Sequence, residues 1–467
     1  MEKSKFVKSI RLLTKKEQQA FQQYVQTHHG SKKTAVKVLE YVLAVCQKKS
    51  PLWLSKADLA EQLFSGQQTV TPRTVGDALS DLYLLWEEFL LWTSIQKDRD
   101  FETDVLLLKH FQKRGWKQQY SDKWKRMQKN LDAKHPKDAA YFYHKMLLAH
   151  DQYFHADTPK LSTQIDSLDE AMDKLDSFFI SRKLLYMCEL QNRSEILQNR
   201  QDMPFFQVME RHLHQDKTLP LVIRLYRHTL QMVREQSDSS FHLLKELFFQ
   251  HLSEVSQKDQ IIIFGYLINF TAFKIKNGKR EYTHQAFELY KEALARNTLS
   301  EGNSISHVRF NNIVNTACRL QELQWAKQFI DDWQHCLTDD IRDSALCIAI
   351  ARISFEEGNF DQVIEQLRTV KFSNVYYNLR CKTLLIRSFV ELKESPELIT
   401  NHCRAFRAFL YRTKLIHTDT VLAFKNFTDA VEKLVQAKYE TPKLKDAMEK
   451  LQPMVYNYWI EEQLAKR

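Results

Sequence analysis

Residues 344–370 read SALCIAIARISFEEGNFDQVIEQLRTV, two apolar-faced helical segments joined at Gly358, Asn359 and Phe360. Glycine ends a helix readily because it enters the left-handed region without a Cβ clash. Beyond that turn Val363, Leu367 and Val370 stand at i, i+4 and i+7, one face of a second helix. The same spacing occurs upstream in Ala326, Ile330 and Trp333 and again in Ala286, Tyr290 and Ala293, at offsets of 37 and 40 residues. A closed bundle ends after about four helices. Here the pattern continues, which predicts successive helix pairs, each shielding an apolar face that its neighbour would leave in water.

Composition extends that reading to the whole chain. Of 467 residues only 8 are Gly and 9 are Pro. Sheets with tight turns and nucleotide-binding doubly wound folds need glycine at positive φ and where backbone meets pyrophosphate, and neither GxGxxG nor a Walker A sequence is present. The expected class is all-α. Prolines fall where helices begin, at Thr71-Pro72, Pro204, Pro220, Pro396 and Thr441-Pro442, since the first helical N–H has no partner to lose. Thr14 with Glu17 makes a capping-box pattern, and Ser55 with Asp58 a weaker one. Helices are expected over 15–27, 32–47, 56–64, 72–93, 104–114 and 117–133, then from 138 onward, including one over 204–215. The organisation follows as a basic helical module over 1–137, linking hairpins over 138–258, and repeats over 259–467 with a C-terminal capping helix.

The unit at 344–370 resembles a tetratricopeptide repeat. Gly358, Asn359 and Phe360 match that family's turn, and Val363, Leu367 and Val370 its second helix. Cys347, Ile350 and Ala351 depart from the first-helix pattern, and the spacing exceeds the family's usual repeat, so the resemblance is to TPR-like hairpins. It covers about 260–410. The string from WAKQFIDDW to FRAFLYRTK is also similar to a group of bacterial helical-repeat proteins with no assigned activity. The resemblance implies an α-solenoid whose first helices line a concave groove. Asn312 and Asn315 would then face inward, with Arg352 at the place of Asn315 one unit later, and Asn269 stands within the apolar IIIFGYLINF. Amide and guanidinium groups on such a wall suit a peptide backbone or a carboxylate. Hydrogen bonding within the fold is the alternative role for the same residues.

Charge divides the chain. The formal net charge is +10, and residues 138–467 are balanced, so the excess lies in the first 137 residues. Lys109 to Lys129 carries Lys113, Arg114, Lys117, Lys123, Lys125 and Arg126, with Phe111, Trp116, Tyr120 and Trp124 interleaved. That mixture could meet phosphates and bases. Yet Trp116, Tyr120 and Trp124 recur every four residues, the spacing of a core-facing stripe, so the sequence favours a structural role with solvated lysines. Segments 56–64 and 72–93 could form a helix-turn-helix, but the second carries Arg73 against Asp77, Asp81, Glu87 and Glu88, a charge that opposes docking on phosphates.

No reaction is indicated. His144, Asp151 and His155 share a helical face but span too far for one ion, and HExxH, GxSxG and clustered Cys/His spacings are absent. Seven cysteines form no even framework, and the N-terminal residues lack a continuous apolar run, which leads to the expectation of a cytoplasmic chain. The sequence therefore predicts a non-enzymatic scaffold that binds a protein or peptide, with no metal, cofactor or membrane and with nucleic acid disfavoured. The second reading is a transcriptional regulator that joins a helix-turn-helix module to TPR-like sensing repeats.

Overall fold

The computed structural model describes residues 1–46, 53–64, 71–97, 100–133, 136–154, 166–197, 209, 219–301, 304–368, 374–413, 418–436 and 441–466. It is nearly all helical. The helix expected over 204–215 lies outside the described residues, as do His155 and Val370. Two compact units divide the chain, Met1–Lys134 and His135–Arg467. The stretches 138–258 and 259–467, drawn apart from sequence, fall within the second unit.

The first unit contains α1 (Lys5–Ile10), α2 (Lys15–His29), α3 (Lys33–Cys46), α4 (Lys56–Phe64), α5 (Pro72–Lys97), α6 (Phe101–Lys113) and α7 (Lys117–Asp132). The Thr14 hydroxyl accepts from the Glu17 N–H while the Glu17 carboxylate accepts from the Thr14 N–H, so both orphan donors at the start of α2 are satisfied. α5 packs against each of α1 to α4. Phe6, Phe21, Val42 and Leu59 close on its Val75, Leu82 and Phe89, and each such side chain contributes about 1.5–3 kcal/mol. α6 and α7 form an adjoining hairpin.

The second unit begins with α8 (Ala139–Phe154), α9 (Asp166–Leu197), α10 (Leu221–Glu235), α11 (Asp238–Gln250), α12 (Gln257–Lys276) and α13 (Tyr282–Ala295). A two-residue antiparallel pair, β1 (Ser300–Glu301) and β2 (Ser304–Ile305), precedes α14 (His307–Arg319). There follow α15 (Leu323–Trp333), α16 (Asp339–Glu356), α17 (Phe360–Arg368), α18 (Val375–Glu391), α19 (Pro396–Arg412), α20 (Thr418–Val435), α21 (Thr441–Glu449) and α22 (Asn457–Ala465). Each described helix from α8 to α20 packs on the next. In addition α14 packs on α16 and α16 on α18, so alternate helices meet directly.

Three successive hairpins close with a backbone turn that also ends α6, α12 and α13, at Gly115, Gly278 and Asn297. Gln321, Gly358 and Lys393 take φ of 61°, 80° and 55° at the ends of α14, α16 and α18. In each, the N–H one residue later bonds back to the carbonyl five residues before, at 3.0, 2.9 and 3.0 Å for Glu322 to Ala317, Asn359 to Ser354 and Glu394 to Phe389. This is the Schellman arrangement, which satisfies carbonyls that a helix end leaves orphaned. Trp325 of α15 meets Phe287 of α13 edge-on at 4.8 Å and stacks on Phe329 at 5.6 Å, joining one hairpin to the preceding one. Phe360 instead packs within its own hairpin, 5.2 Å from Phe355.

Candidate functional site: an arginine wall on alternate helices

The repeated turn sets a register. Asn315, Arg352 and Arg387 each stand six residues before the left-handed residue of their hairpin, so α14, α16 and α18 bring them to one structural position. Arg380 lies two turns earlier on α18, on the same face as Arg387. The guanidinium carbons of Arg352 and Arg387 are 5.8 and 4.1 Å from the centroid of a single ring, Phe355. Both side chains are buried, with relative exposures of 7% and 2%.

The two arginines differ in their pairing. Arg352 bonds Glu356 at 2.5 Å, four residues on, and its other terminal nitrogen, Nη1, has no partner among the described residues. Arg387 has Glu391 at the corresponding position, but that carboxylate is engaged elsewhere. Its Oε1 accepts from Trp459 Nε1 at 2.8 Å and Gln463 Nε2 at 2.6 Å, and its Oε2 meets Lys466 Nζ at 3.1 Å. Among the described residues Arg387 makes no ion pair, and its Nε is buried without a partner. It is enclosed by aromatic faces, Phe355, Tyr456 at 4.8 Å and Trp459 at 5.3 Å. Cation–π attraction recovers part of the lost hydration. Burial and the neighbouring Arg352 both pull its pKa down, with Tyr458 opposing.

The C-terminal segment thus meets the wall at Arg387 and Glu391 of α18 and is anchored on α20. Val455 N–H bonds the Ala423 carbonyl, Asn426 Nδ2 bonds the Pro453 carbonyl, and Trp459 is buried against Phe427. Tyr456 sits at the electrostatic focus. Burial alone would raise its phenol, yet Arg387, Arg352, a hydrogen bond with Thr383 and Arg380 together hold it below the usual tyrosine value. The Tyr458 hydroxyl is buried with no partner among the described residues.

The expected groove residues are placed unequally. Asn312 Oδ1 accepts from Arg380 Nη2 at 3.0 Å, and His307 and Asn311 bond the Tyr377 hydroxyl, so α14 and α18 touch across α16. The open trough expected along these helices is therefore bridged at one end and met by Tyr456 and Trp459 at Arg387. Asn315 is half-buried and Arg352 lines the wall as described. Asn269 is exposed on α12, away from the buried apolar residues on either side of it. Arg380, Arg387, Tyr456 and Tyr458 were not anticipated. Counting six residues back from the left-handed turn residue, as for Asn315 and Arg352, leads to Arg387 once Lys393 is known to be that residue.

In the first unit, Lys113, Arg114, Lys117, Lys125 and Arg126 are exposed, and Arg114 lies over Trp116 at 5.0 Å. Lys123 does not belong with them. It is 5% exposed and bonds Asp104 of α6 at 2.5 Å, because it occupies the same face as buried Tyr120, Met127 and Leu131. Tyr120 is core, Trp124 is half-buried and Trp116 is exposed, so the aromatic stripe is internal only in part. On α5, Arg73, Asp77, Glu87 and Glu88 are exposed, and Asp81 pairs with Lys32 at 3.1 Å.

Four buried thiols are held away from the nucleophilic thiolate form. Burial pushes Cys188 up, Cys318 and Cys403 to about 12, and Cys381 to about 11, which keeps each protonated near neutrality. Among the described residues no three His, Cys, Asp or Glu side chains gather as a metal would require, and no helix is long and apolar enough to cross a membrane. No protein-family model matches the chain, and neither a curated protein nor a solved structure matches it.

Proposed function

We propose that the chain is a non-enzymatic, TPR-like helical-repeat scaffold of the cytoplasm, and that the wall formed by α14, α16 and α18 binds a protein or peptide partner. One observation carries the reading: a segment of the chain itself, anchored on α20 by the Val455 N–H to Ala423 carbonyl bond, lays Tyr456 and Trp459 over Arg387 of α18 and ties Trp459 to Glu391. The chemistry that holds this segment suits a partner's peptide bearing aromatic and acidic groups. Repetition of one turn in three hairpins, with alternate helices in contact, supports the solenoid reading. Seven unpaired thiols suit a reducing compartment.

On this reading the C-terminal segment competes with the partner. Affinity capture from host extract with wild type, Trp459→Ala, and Trp459→Ala combined with Arg352→Gln tests it. Release of the segment should enrich a partner several-fold, and the added Arg352 substitution should remove it. Equal capture by all three proteins would defeat the proposal.

A further inference from the structure

Three guanidinium groups converge near Tyr456, and among the described residues only Glu356 pairs with one of them. Arg352 and Arg387 are more than nine-tenths buried, and each has a nitrogen sealed from solvent with no acceptor. Arg380 Nη1 is a third such donor. A lysine in this position could shed its proton, but arginine stays charged at any physiological pH, so burial does not neutralise it. An uncompensated buried charge is strongly destabilising. The one carboxylate placed to pair Arg387 by the local i, i+4 rule, Glu391, is drawn away by Trp459, Gln463 and Lys466. Docking of the C-terminal helix thus removes the counter-ion of Arg387 and encloses the vacancy it leaves in the charge balance.

We propose that this wall binds a small tetrahedral oxyanion, phosphate or the phosphate of a small monoester, between Arg352, Arg380 and Arg387 beneath Tyr456. Planar guanidinium forks match phosphate oxygens bidentately. A dianion balances the two positive charges left after Glu356 pairs with Arg352. The unpartnered Tyr458 hydroxyl is a neutral donor in the same enclosure. Because the anion replaces Glu391 at Arg387, its binding favours the docked C-terminal helix, so the two events are coupled with positive sign. This site does not require the wall to take a peptide.

The test is calorimetric titration of the full chain with sodium phosphate at fixed ionic strength, paired with thermal melts. Wild type should show saturable one-to-one binding with Kd below about 1 mM, and a rise in Tm of about 2–4 °C at a hundredfold excess over Kd. Arg387→Met should bind at least tenfold more weakly while melting, without phosphate, no lower than wild type, since it removes an unpaired buried charge. Arg380→Gln, at a less buried position, provides a second weakened variant should the first misfold. Phenyl phosphate binding as tightly as the ion would assign a monoester, and its exclusion would assign the free ion. Absence of saturable heat with wild type at 10 mM, on the order of ten times the Kd bound above, would overturn the site. An equal Tm response in wild type and Arg387→Met, the general effect of an excluded salt, would do the same.

Discussion

Trp459→Ala tests how firmly the C-terminal helix holds to the wall. The indole is 1% exposed, packs 6.2 Å from Phe427 and 5.3 Å from the Arg387 guanidinium, and donates to Glu391 at 2.8 Å. Truncating a buried Trp costs about 3–5 kcal/mol where the surroundings cannot collapse. Here part of that loss is offset, because Glu391 becomes free to pair with Arg387 at i, i+4, and a well-formed charge-assisted bond returns about 1.5–3 kcal/mol. The net penalty on docking is then about 1–3 kcal/mol. It falls on a local opening of α22 rather than on the whole unit. Hydrogen exchange read by mass spectrometry measures it directly. Amides of Asn457–Ala465 should exchange roughly tenfold to a hundredfold faster in the variant, with α16 and α18 little changed. Protection of α22 equal to wild type would refute the reasoning, as would uniform loss of protection throughout the second unit.

Other measurements bear on the hairpins and their charges. Gln321→Gly and Lys393→Gly should each stabilise the second unit by about 1 kcal/mol in urea, because L residues pay for left-handed backbone that glycine enters freely; a loss of stability would show that their side chains matter more than φ. Gly358→Ala, at a φ of 80° with open space around the added Cβ, should cost about 1–2 kcal/mol, and an unchanged urea midpoint would contradict it. Trp325→Ala should cost about 3 kcal/mol, since the ring joins α13 to α15, and a Tm within a degree of wild type would remove its bridging role. Asp238 is held well below the usual carboxylate range by hydrogen bonds from Lys274 and then Lys279. A depressed carboxylate stabilises the folded state above its unfolded pKa of about 3.9 and loses that contribution as pH falls further. Asp238→Asn should therefore flatten the acid limb of stability below about pH 4, and an identical limb in both proteins would rule out this pair as its source.

Much of the helical content was legible because the signals are local. Thr14 and Glu17 cap α2 through neighbouring atoms, and scarce glycine and well-placed proline leave few alternatives to helix. The turn at Gly358 was equally plain. The same turns at Gln321 and Lys393 were not, since these residues adopt that backbone without the glycine that usually signals it. That concealment hid the register, and with it Arg387. Lys123 misled for a different reason: its partner, Asp104, lies on another helix, and nothing in the run of lysines distinguishes a buried one from its solvated neighbours. The contact of Tyr456 and Trp459 with Arg387 joins residues on separate helices far apart in sequence, and no periodicity within the last helix points to it.

The most direct measurement is fluorescence anisotropy of a labelled peptide of residues 452–467, titrated with wild type and with Trp459→Ala. If the wall made by α14, α16 and α18 is a peptide-binding surface, the peptide binds saturably to Trp459→Ala, whose own segment has been loosened, and negligibly to wild type, where the place is filled. Equal binding to both proteins, or to neither, would contradict that claim.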